Sequence, residues 1–520
     1  MANIKEKTAA SPLEAAVSLP PRKRAAVTVG VIMGIFLAAI EQTVVATAMP
    51  TVVASLGGLN IYSWIFSAYL LAFTVSVPIW GRLSDMFGRR RFYLIAIGLF
   101  LLGSMLAGQA RSMTFLIVAR AIQGLGGGGV FPIGLTIIGE IFSLEQRARM
   151  QGLFSGVWGF ASIVGPLAGG LITDYVSWRW VFYVNLPFGF AAIALIYANL
   201  SEPEKGGKHH SIDYIGVVTL TASLTCFLVA LIQVGTRGGF FDRDILILVG
   251  ASLILLTAFI YVERRAKEPL IPFSLFQDRT FSVCSGVGFL AGMGLFGSIS
   301  FIPLFVQGVL FGSATEAGSA LTPLLLSWVL FSILSARLLL KFGYRPVVIG
   351  GMLLFVVGFS WLSRMGPESS YGNILPSMAV LGAGMGLAMV AILLAVQNTV
   401  PHRLMGIATS TNLFFRTIGG TLGVAIMGSV MSHRMATHLG GTRDPELIEL
   451  AAHPDAIVSE TTRSALSPEA LDWLRVALAG SLEHVFLVGA AVATVAFLLA
   501  LAFPSGTAEE LAHTSSSRGN

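Results

Sequence analysis

"GRLSDMFGRRR", residues 81–91, is the stretch on which the fold turns. It joins an apolar run at 62–81 to another at 92–110, and each run is long enough to cross a bilayer as a helix. Asp85 stands four residues before Arg89, the spacing at which opposite charges meet on one helical face. Gly81 allows close backbone approach at a helix end. Arg89, Arg90 and Arg91 form a cationic block suited to an anionic membrane surface. A basic anchor alone would account for the arginines, but not for Gly81, Asp85 and Gly88 at their fixed spacing.

The rest of the chain repeats the pattern. Of 520 residues, 55% are hydrophobic and only 12% charged, with a mean hydropathy of +0.79. Soluble domains carry about 25% charge, so this composition indicates a polytopic all-α membrane protein. Apolar runs fall at 25–47, 62–81, 92–110, 114–140, 150–173, 180–200, 213–234, 244–262, 280–308, 317–340, 345–364, 372–398, 405–431 and 480–503, giving an expectation of 14 transmembrane helices. With both termini inside, 22 of the 33 Lys and Arg residues fall on inner segments and 9 on outer ones, so the positive-inside rule puts both ends in the cytoplasm. The net charge of +6 is spread over the loops, and no nucleic-acid partner is expected. The first run is too long for a signal peptide and reads as an uncleaved span. Cys226 and Cys284 sit alone in apolar runs, which favours neither a disulfide nor a metal site.

This reading divides the chain into a cytoplasmic tail at 1–24, a six-helix bundle at 25–200, a loop with two inserted helices and a linker at 201–279, and a second six-helix bundle at 280–503 with a long outer loop at 433–479; a cytoplasmic tail follows at 504–520. Within the long loop, "SPEALDWLRVAL" predicts a short interfacial helix, with Ser467 as cap and Pro468 in its first turn.

Four polar positions stand out inside apolar runs. Glu41 lies in "AAIEQTVVATAMP", residues 38–50, on a small-residue stripe with Gly30, Gly34, Ala38, Val45 and Ala48. Arg120 and Gln123 lie in "LIVARAIQGLGGGGVFP", and an intramembrane Arg needs a cavity or a partner. The glycines of that run match a dinucleotide-binding spacing, but no strand precedes them, so they read as helix-packing residues. Counting from the outer ends of their spans puts Glu41 and Arg120 at a common depth of roughly 9 Å, close enough to meet. Arg416 lies mid-span, with Gln307, Gln397 and Asn398 as candidate partners or substrate contacts.

Residues 81–91 resemble the loop motif of the major facilitator superfamily, where the Asp and Arg residues latch two bundles together. By that resemblance Gly81, Asp85, Gly88, Arg89 and Arg90 form a conformational latch. "ARLLLKFGYR", residues 336–345, is similar to a second copy that keeps Arg337, Gly343 and Arg345 but has Leu340 at the Asp position. "GLFSGVWGFASIVGPLAGG" resembles the antiporter signature through Gly152, Gly165, Pro166, Gly169 and Gly170, with Ala161 replacing one glycine. The Glu41 stretch, "SWRWVFYVNLPFG" and residues 396–428 are similar to the fourteen-span drug:proton antiporter branch.

The resemblance implies two bundles of six helices plus two extra helices, rocking around a central site. It also implies proton-coupled export of amphipathic compounds, cationic ones among them, from the plasma membrane by a monomer that uses no cofactor. Burial favours a neutral Glu41, whereas a nearby guanidinium favours the carboxylate; movement between these settings would carry a proton. A permanent structural ion pair is the simpler alternative. A dedicated exporter of one metabolite or lipid is the rival within transport. An intramembrane enzyme is the rival outside it, and no convergent catalytic cluster supports it.

Overall fold

The structure, a computed structural model, describes residues 20–142, 144–200, 214–237, 242–266, 269, 271, 273–400, 405–439, 457, 463–464 and 466–504. The expected tails, except for residues 20–24 and 504, and about half of the long loop (440–456, 458–462 and 465) lie outside them. The elements are α1 (Pro21–Leu56), α2 (Tyr62–Phe87), α3 (Arg89–Gly108), α4 (Met113–Ile141), α5 (Leu144–Tyr175), α6 (Trp180–Tyr183), α7 (Asn185–Asn199), α8 (Tyr214–Arg237), α9 (Arg243–Glu263), α10 (Arg279–Gly308), α11 (Ala314–Phe342), α12 (Tyr344–Leu362), α13 (Tyr371–Thr399), α14 (Met405–Leu439) and α15 (Pro468–Leu501). Helices are forced by the setting, since a chain in lipid must satisfy its backbone polar groups internally.

Among the described residues, twelve helices are long and apolar enough to cross a membrane. This departs from the expected fourteen. α5 does not qualify, and the described apolar stretch of α8, Ile215–Leu231, is shorter than a full span. α5 is rich in glycine and carries charge in its first turns, and α8 ends in Gly-Thr-Arg. Two other expectations are corrected. α2 continues to Phe87, so most of residues 81–91 is helix and only Gly88 breaks it. α15 is one helix from Pro468, not an interfacial helix followed by a span; Ser467 caps it by accepting from Ala470 N.

α1–α7 pack as one group and α10–α15 as another, while α8 lies against α14 and α2 and carries α9 on its other side. Ser223 and Ser252 donate to each other's backbone carbonyls at 2.8 and 2.9 Å and join α8 to α9. Leu246, Ile247, Leu253 and Ile254 of α9 are exposed, as a face meeting lipid requires.

The two halves share one device. Gly88 (φ 106°) separates α2 from α3, and Gly343 (φ 78°) separates α11 from α12. Each donates its N–H four residues back, to Ser84 and Leu339. Two residues after each glycine an arginine caps the last helix of its own half. Arg90 Nη2 donates to Tyr197 O of α7 at 2.7 Å, and Arg345 Nη2 to Leu501 O of α15 at 3.2 Å. A cation at a helix C-terminus meets the negative end of the dipole and satisfies an orphan carbonyl. The repeat seen faintly in sequence is thus physical at Gly88/Gly343 and Arg90/Arg345.

Positive φ at these ψ values suits glycine almost exclusively, and another residue costs about 1–3 kcal/mol. Gly343→Ala is expected to lower the unfolding temperature of the purified protein by several degrees. Gly350→Ala, within α12 and with no atom within 4 Å of its added methyl, is expected to be neutral or slightly stabilising in the same melt.

Candidate transport site

Glu41 lies mid-way along α1, 1% exposed, and Arg120 lies on α4, 2% exposed. Arg120 Nη1 donates to Glu41 Oε1 in a fully buried ion pair. The depth estimate that anticipated this meeting does not hold for α1, which continues past residue 47 to Leu56. Gln123 belongs to the same network: its Oε1 accepts from Arg120 Nη1 at 2.6 Å, and its Nε2 donates to Ser104 Oγ at 2.8 Å. Asn185 Nδ2 donates to Glu41 Oε2 at 2.7 Å and to Ser104 Oγ at 3.2 Å. Four helices, α1, α3, α4 and α7, therefore meet at one carboxylate. The Arg120 guanidinium also stacks 4.3 Å from the centre of the Tyr69 ring.

The network opens on a cavity of about 20 Å³ lined by Glu41, Arg120 and Tyr69 from one bundle and by Phe296, Ile299 and Ser300 of α10 from the other. That is room for one water. Two buried polar atoms around the site, Tyr69 Oη and Asn185 Oδ1, have no hydrogen-bond partner within the protein. Val45, Phe66 and Leu70 complete the lining, so the cavity is mostly apolar and its polar edge is the paired carboxylate.

The bundles touch through α5 and α11 and through α2 and α14. Every hydrogen bond between them among the described residues lies from mid-span toward the face that holds the α1–α2 turn. Gln307 Nε2 donates to Thr47 O at 2.9 Å, and its Oε1 accepts from Thr51 at 3.2 Å. Tyr62 Oη donates to Ser300 O at 2.7 Å, Ser67 Oγ to Thr421 O at 3.4 Å, and Ser432 Oγ to Asn60 O at 3.2 Å. Asp174, at the end of α5, caps α11 across the divide. It accepts from Ala314 N at 3.1 Å, Thr315 N at 2.9 Å and Thr315 Oγ1 at 2.5 Å.

The glycines of α5 make this seal possible. A Cβ at Gly165 or Gly169 would strike Thr43 or Thr47 of α1, and one at Gly170 would sit 2.5 Å from Thr315 Cα of α11. The Pro166 carbonyl lies where a Cβ on Gly318 of α11 would fall. Gly152 lies on the same helix, toward the opposite face.

The expected latch residues lie at the α2–α3 face. Gly81 has open space where its Cβ would be, so no close approach is made there. Arg89 Nη1 donates to Ser84 Oγ at 2.7 Å, Arg90 caps α7, and the side chain of Asp85 lies outside the described residues. The residues expected around a substrate do not converge. Gln123 belongs to the Glu41 network and Gln307 to the seal, Gln397 Nε2 donates to Thr409 Oγ1 at 3.4 Å, and Asn398 Nδ2 donates to Tyr344 Oη at 2.5 Å. Arg416 packs its stem against Gly292 of α10. Sequence reasoning missed Asn185, Ser104 and Asp174. Asn185 lies inside "SWRWVFYVNLPFG", a stretch noted only for its resemblance, and nothing in one sequence sets Ser104 or Asp174 apart.

Two packed bundles with a buried ion pair at their divide, sealed at one end, define a membrane transporter and not an enzyme. Residues 31–424 match the model of the Major Facilitator Superfamily, and the chain belongs to that family. It is 39% identical over 438 residues to the multidrug transporter protein MdtP of Bacillus subtilis, covering 84% of this chain and 81% of that protein. It is 36% identical to multidrug resistance protein 3 of the same organism, covering 89% and 91%. The fold is similar to a bacterial homologue of the human lysosomal transporter Spinster in an inward-facing, unoccupied conformation. That match has a TM-score of 0.64 at 17% identity, covering 93% of this chain and 98% of that one.

Removing one partner of a buried ion pair costs about 3–5 kcal/mol, because the other charge stays behind uncompensated. Arg120→Met is therefore expected to lower the unfolding temperature sharply. Glu41→Gln combined with Arg120→Met should recover more than half of the loss, a non-additivity read directly from melts of the four proteins.

Proposed function

We propose that the protein is a proton-coupled exporter of amphipathic small molecules in the plasma membrane, of the fourteen-span drug:proton antiporter branch, working by alternating access with Glu41 as the proton carrier. The observation that carries this reading is the placement of Glu41. It is buried and held by Arg120 and Asn185, yet borders a small cavity between the two bundles. A proton on Glu41 would cancel its attraction to Arg120 and free the guanidinium; losing that proton would restore the pair. Either event changes the charge at the interface about which the bundles rock.

In this reading α5 and α8 also cross the bilayer, both termini are cytoplasmic, and the α1–α2 face is the outer one. The conformation is then inward-facing, with its outer end closed by Asp174, Gln307 and the α5 glycines. Gly81, with open space around it here, would pack once the inner end closes, and Asp85 with Arg89 and Arg90 would then serve as the latch. The proton gradient is a sufficient energy source. About 2.3 kcal/mol per 100 mV and about 1.4 kcal/mol per pH unit together support a gradient of several hundred-fold per proton. The relatives' names support multidrug substrates; a dedicated metabolite or lipid exporter would show the same proton coupling with a narrow range of compounds.

Dye efflux from proteoliposomes under an imposed pH step tests the reading. Glu41→Gln is expected to abolish the pH-driven component while leaving dye binding within a few-fold of wild type; pH-driven efflux that survives in Glu41→Gln would sink it. Gly170→Leu, which forces α5 away from α11, is expected to let a membrane-impermeant thiol reagent reach a cysteine placed at Val45 from the outer side. No such labelling is expected in the cysteine variant alone.

A further inference from the structure

Arg416 is the one intramembrane cation named above that the Glu41 network leaves out. It lies eleven residues from the start of α14, about 16 Å along the helix, inside the candidate span Thr411–Leu439. Arg416 is partly buried. Among the described residues no carboxylate, carbonyl or hydroxyl accepts from it.

One turn earlier on the same face, Asn412 is buried, and its Nδ2 donor has no partner either. Both residues meet α10 at glycines one turn apart. At Gly292 the Arg416 backbone carbonyl makes the closest approach, with its Cγ 3.2 Å from where a Cβ would be, and Asn412 Nδ2 lies 3.6 Å from where a Cβ on Gly288 would be. Thr409, a turn further, is tied to Gln397 of α13. The result is a stripe of donors on α14, in the half of the molecule where no described hydrogen bond joins the two bundles.

An intramembrane guanidinium without a partner costs several kcal/mol, and an unmade buried amide bond adds to that cost. Helix packing alone would be served better by leucine at both positions. A fork of guanidinium donors beside a carboxamide N–H is the arrangement that recognises a carboxylate or phosphate.

We propose that Arg416 and Asn412 form an anion-recognition subsite that holds the carboxylate or phosphate head of an acidic or zwitterionic amphipath, with its apolar body lying in the cleft between the bundles. The inference rests on the transport reading above and narrows its substrate class. It departs from the expectation of cationic compounds, since Glu41, the acidic group bordering the cavity, is already neutralised by Arg120. Along α10, Gly292 lies eight residues from Ser300 of the Glu41 cavity, about 12 Å away. A bound head at Arg416 would leave room for an apolar chain reaching toward Glu41.

Binding to the full-length protein in lipid nanodiscs tests this with two fluorescent probes that differ only in the head, dansylaminoundecanoic acid and its uncharged primary amide. Wild type is expected to bind the acid at least tenfold more tightly than the amide after subtraction of empty nanodiscs. Arg416→Gln and Asn412→Leu should each erode that preference, and Arg416→Lys should keep part of it. Equal affinity of wild type for the two probes overturns the proposal without any variant. So does a variant pair that melts earlier but keeps the acid preference, because a merely structural Arg416 predicts that outcome. Adding phosphatidylglycerol to the nanodiscs separates sources. Displacement of the acid assigns the site to a lipid headgroup, and no displacement assigns it to a free amphipath. The pH-driven efflux of wild type is measured separately, so loss of proton coupling with retained acid preference would overturn the transport reading and leave the subsite standing.

Discussion

The molecule is organised around one buried charge pair. Glu41 and Arg120 come from helices far apart in sequence, and neither charge could survive alone at this depth. Their mutual neutralisation requires α1 and α4 to lie against each other, with α3 and α7 close enough for Ser104 and Asn185 to complete the coordination. The glycines of α4 follow from that requirement. A side chain at Gly124, Gly126 or Gly128 would run into the backbone of α2 or α3, and the helices would be held too far apart for the polar contacts to close. Small residues and the ion pair are therefore two sides of one constraint. In lipid, where apolar surfaces gain little by meeting each other, close approach and polar pairing supply the cohesion.

The same constraint explains why the divide between bundles is asymmetric. Polar contacts between the halves are few and concentrated near the α1–α2 face, and most of them use a backbone carbonyl or amide as one partner. Such bonds are individually modest, about 1 kcal/mol net. The capping of α11 by Asp174 is the exception, with one carboxylate satisfying two backbone donors and a hydroxyl. A carboxylate at a helix N-terminus also meets the positive end of the dipole, which makes Asp174 the strongest single tie between the bundles.

How much of this was legible in the sequence depends on the kind of feature. Helix positions were, because a span is a long run of one solvent preference; α12 and α13 fall within a residue or two of the runs at 345–364 and 372–398. Helix lengths beyond the apolar core were less so. α2 and α15 extend past their hydrophobic runs through polar residues, to which hydropathy is blind, and α1 continues through Pro50, which reads in sequence as a helix breaker. Glu41 and Arg120 were visible because an ionisable residue in an apolar run is conspicuous. Asn185, Ser104 and Asp174 were not, because one amide, hydroxyl or carboxylate near a helix end is ordinary, and its partner lies up to 144 residues away. The grouping of Gln307, Gln397, Asn398 and Arg416 failed for a related reason. Polarity in a span marks a need for a partner but carries no direction, and each of the three amides found a different one.

The contrast between the two intramembrane arginines then carries the argument furthest. Arg120 is saturated: a carboxylate, an amide oxygen, a backbone carbonyl and an aromatic face surround it. Among the described residues Arg416 has none of these, and it stands one turn from Asn412, whose Nδ2 is also unpartnered. Arg120 has its desolvation cost offset within the protein; Arg416 does not among the described residues. Arg120 finds its counter-charge within the protein, whereas the proposed subsite would have Arg416 receive one from a bound head group. On that proposal the charge of the transported head group, rather than its apolar bulk, is the property to vary first.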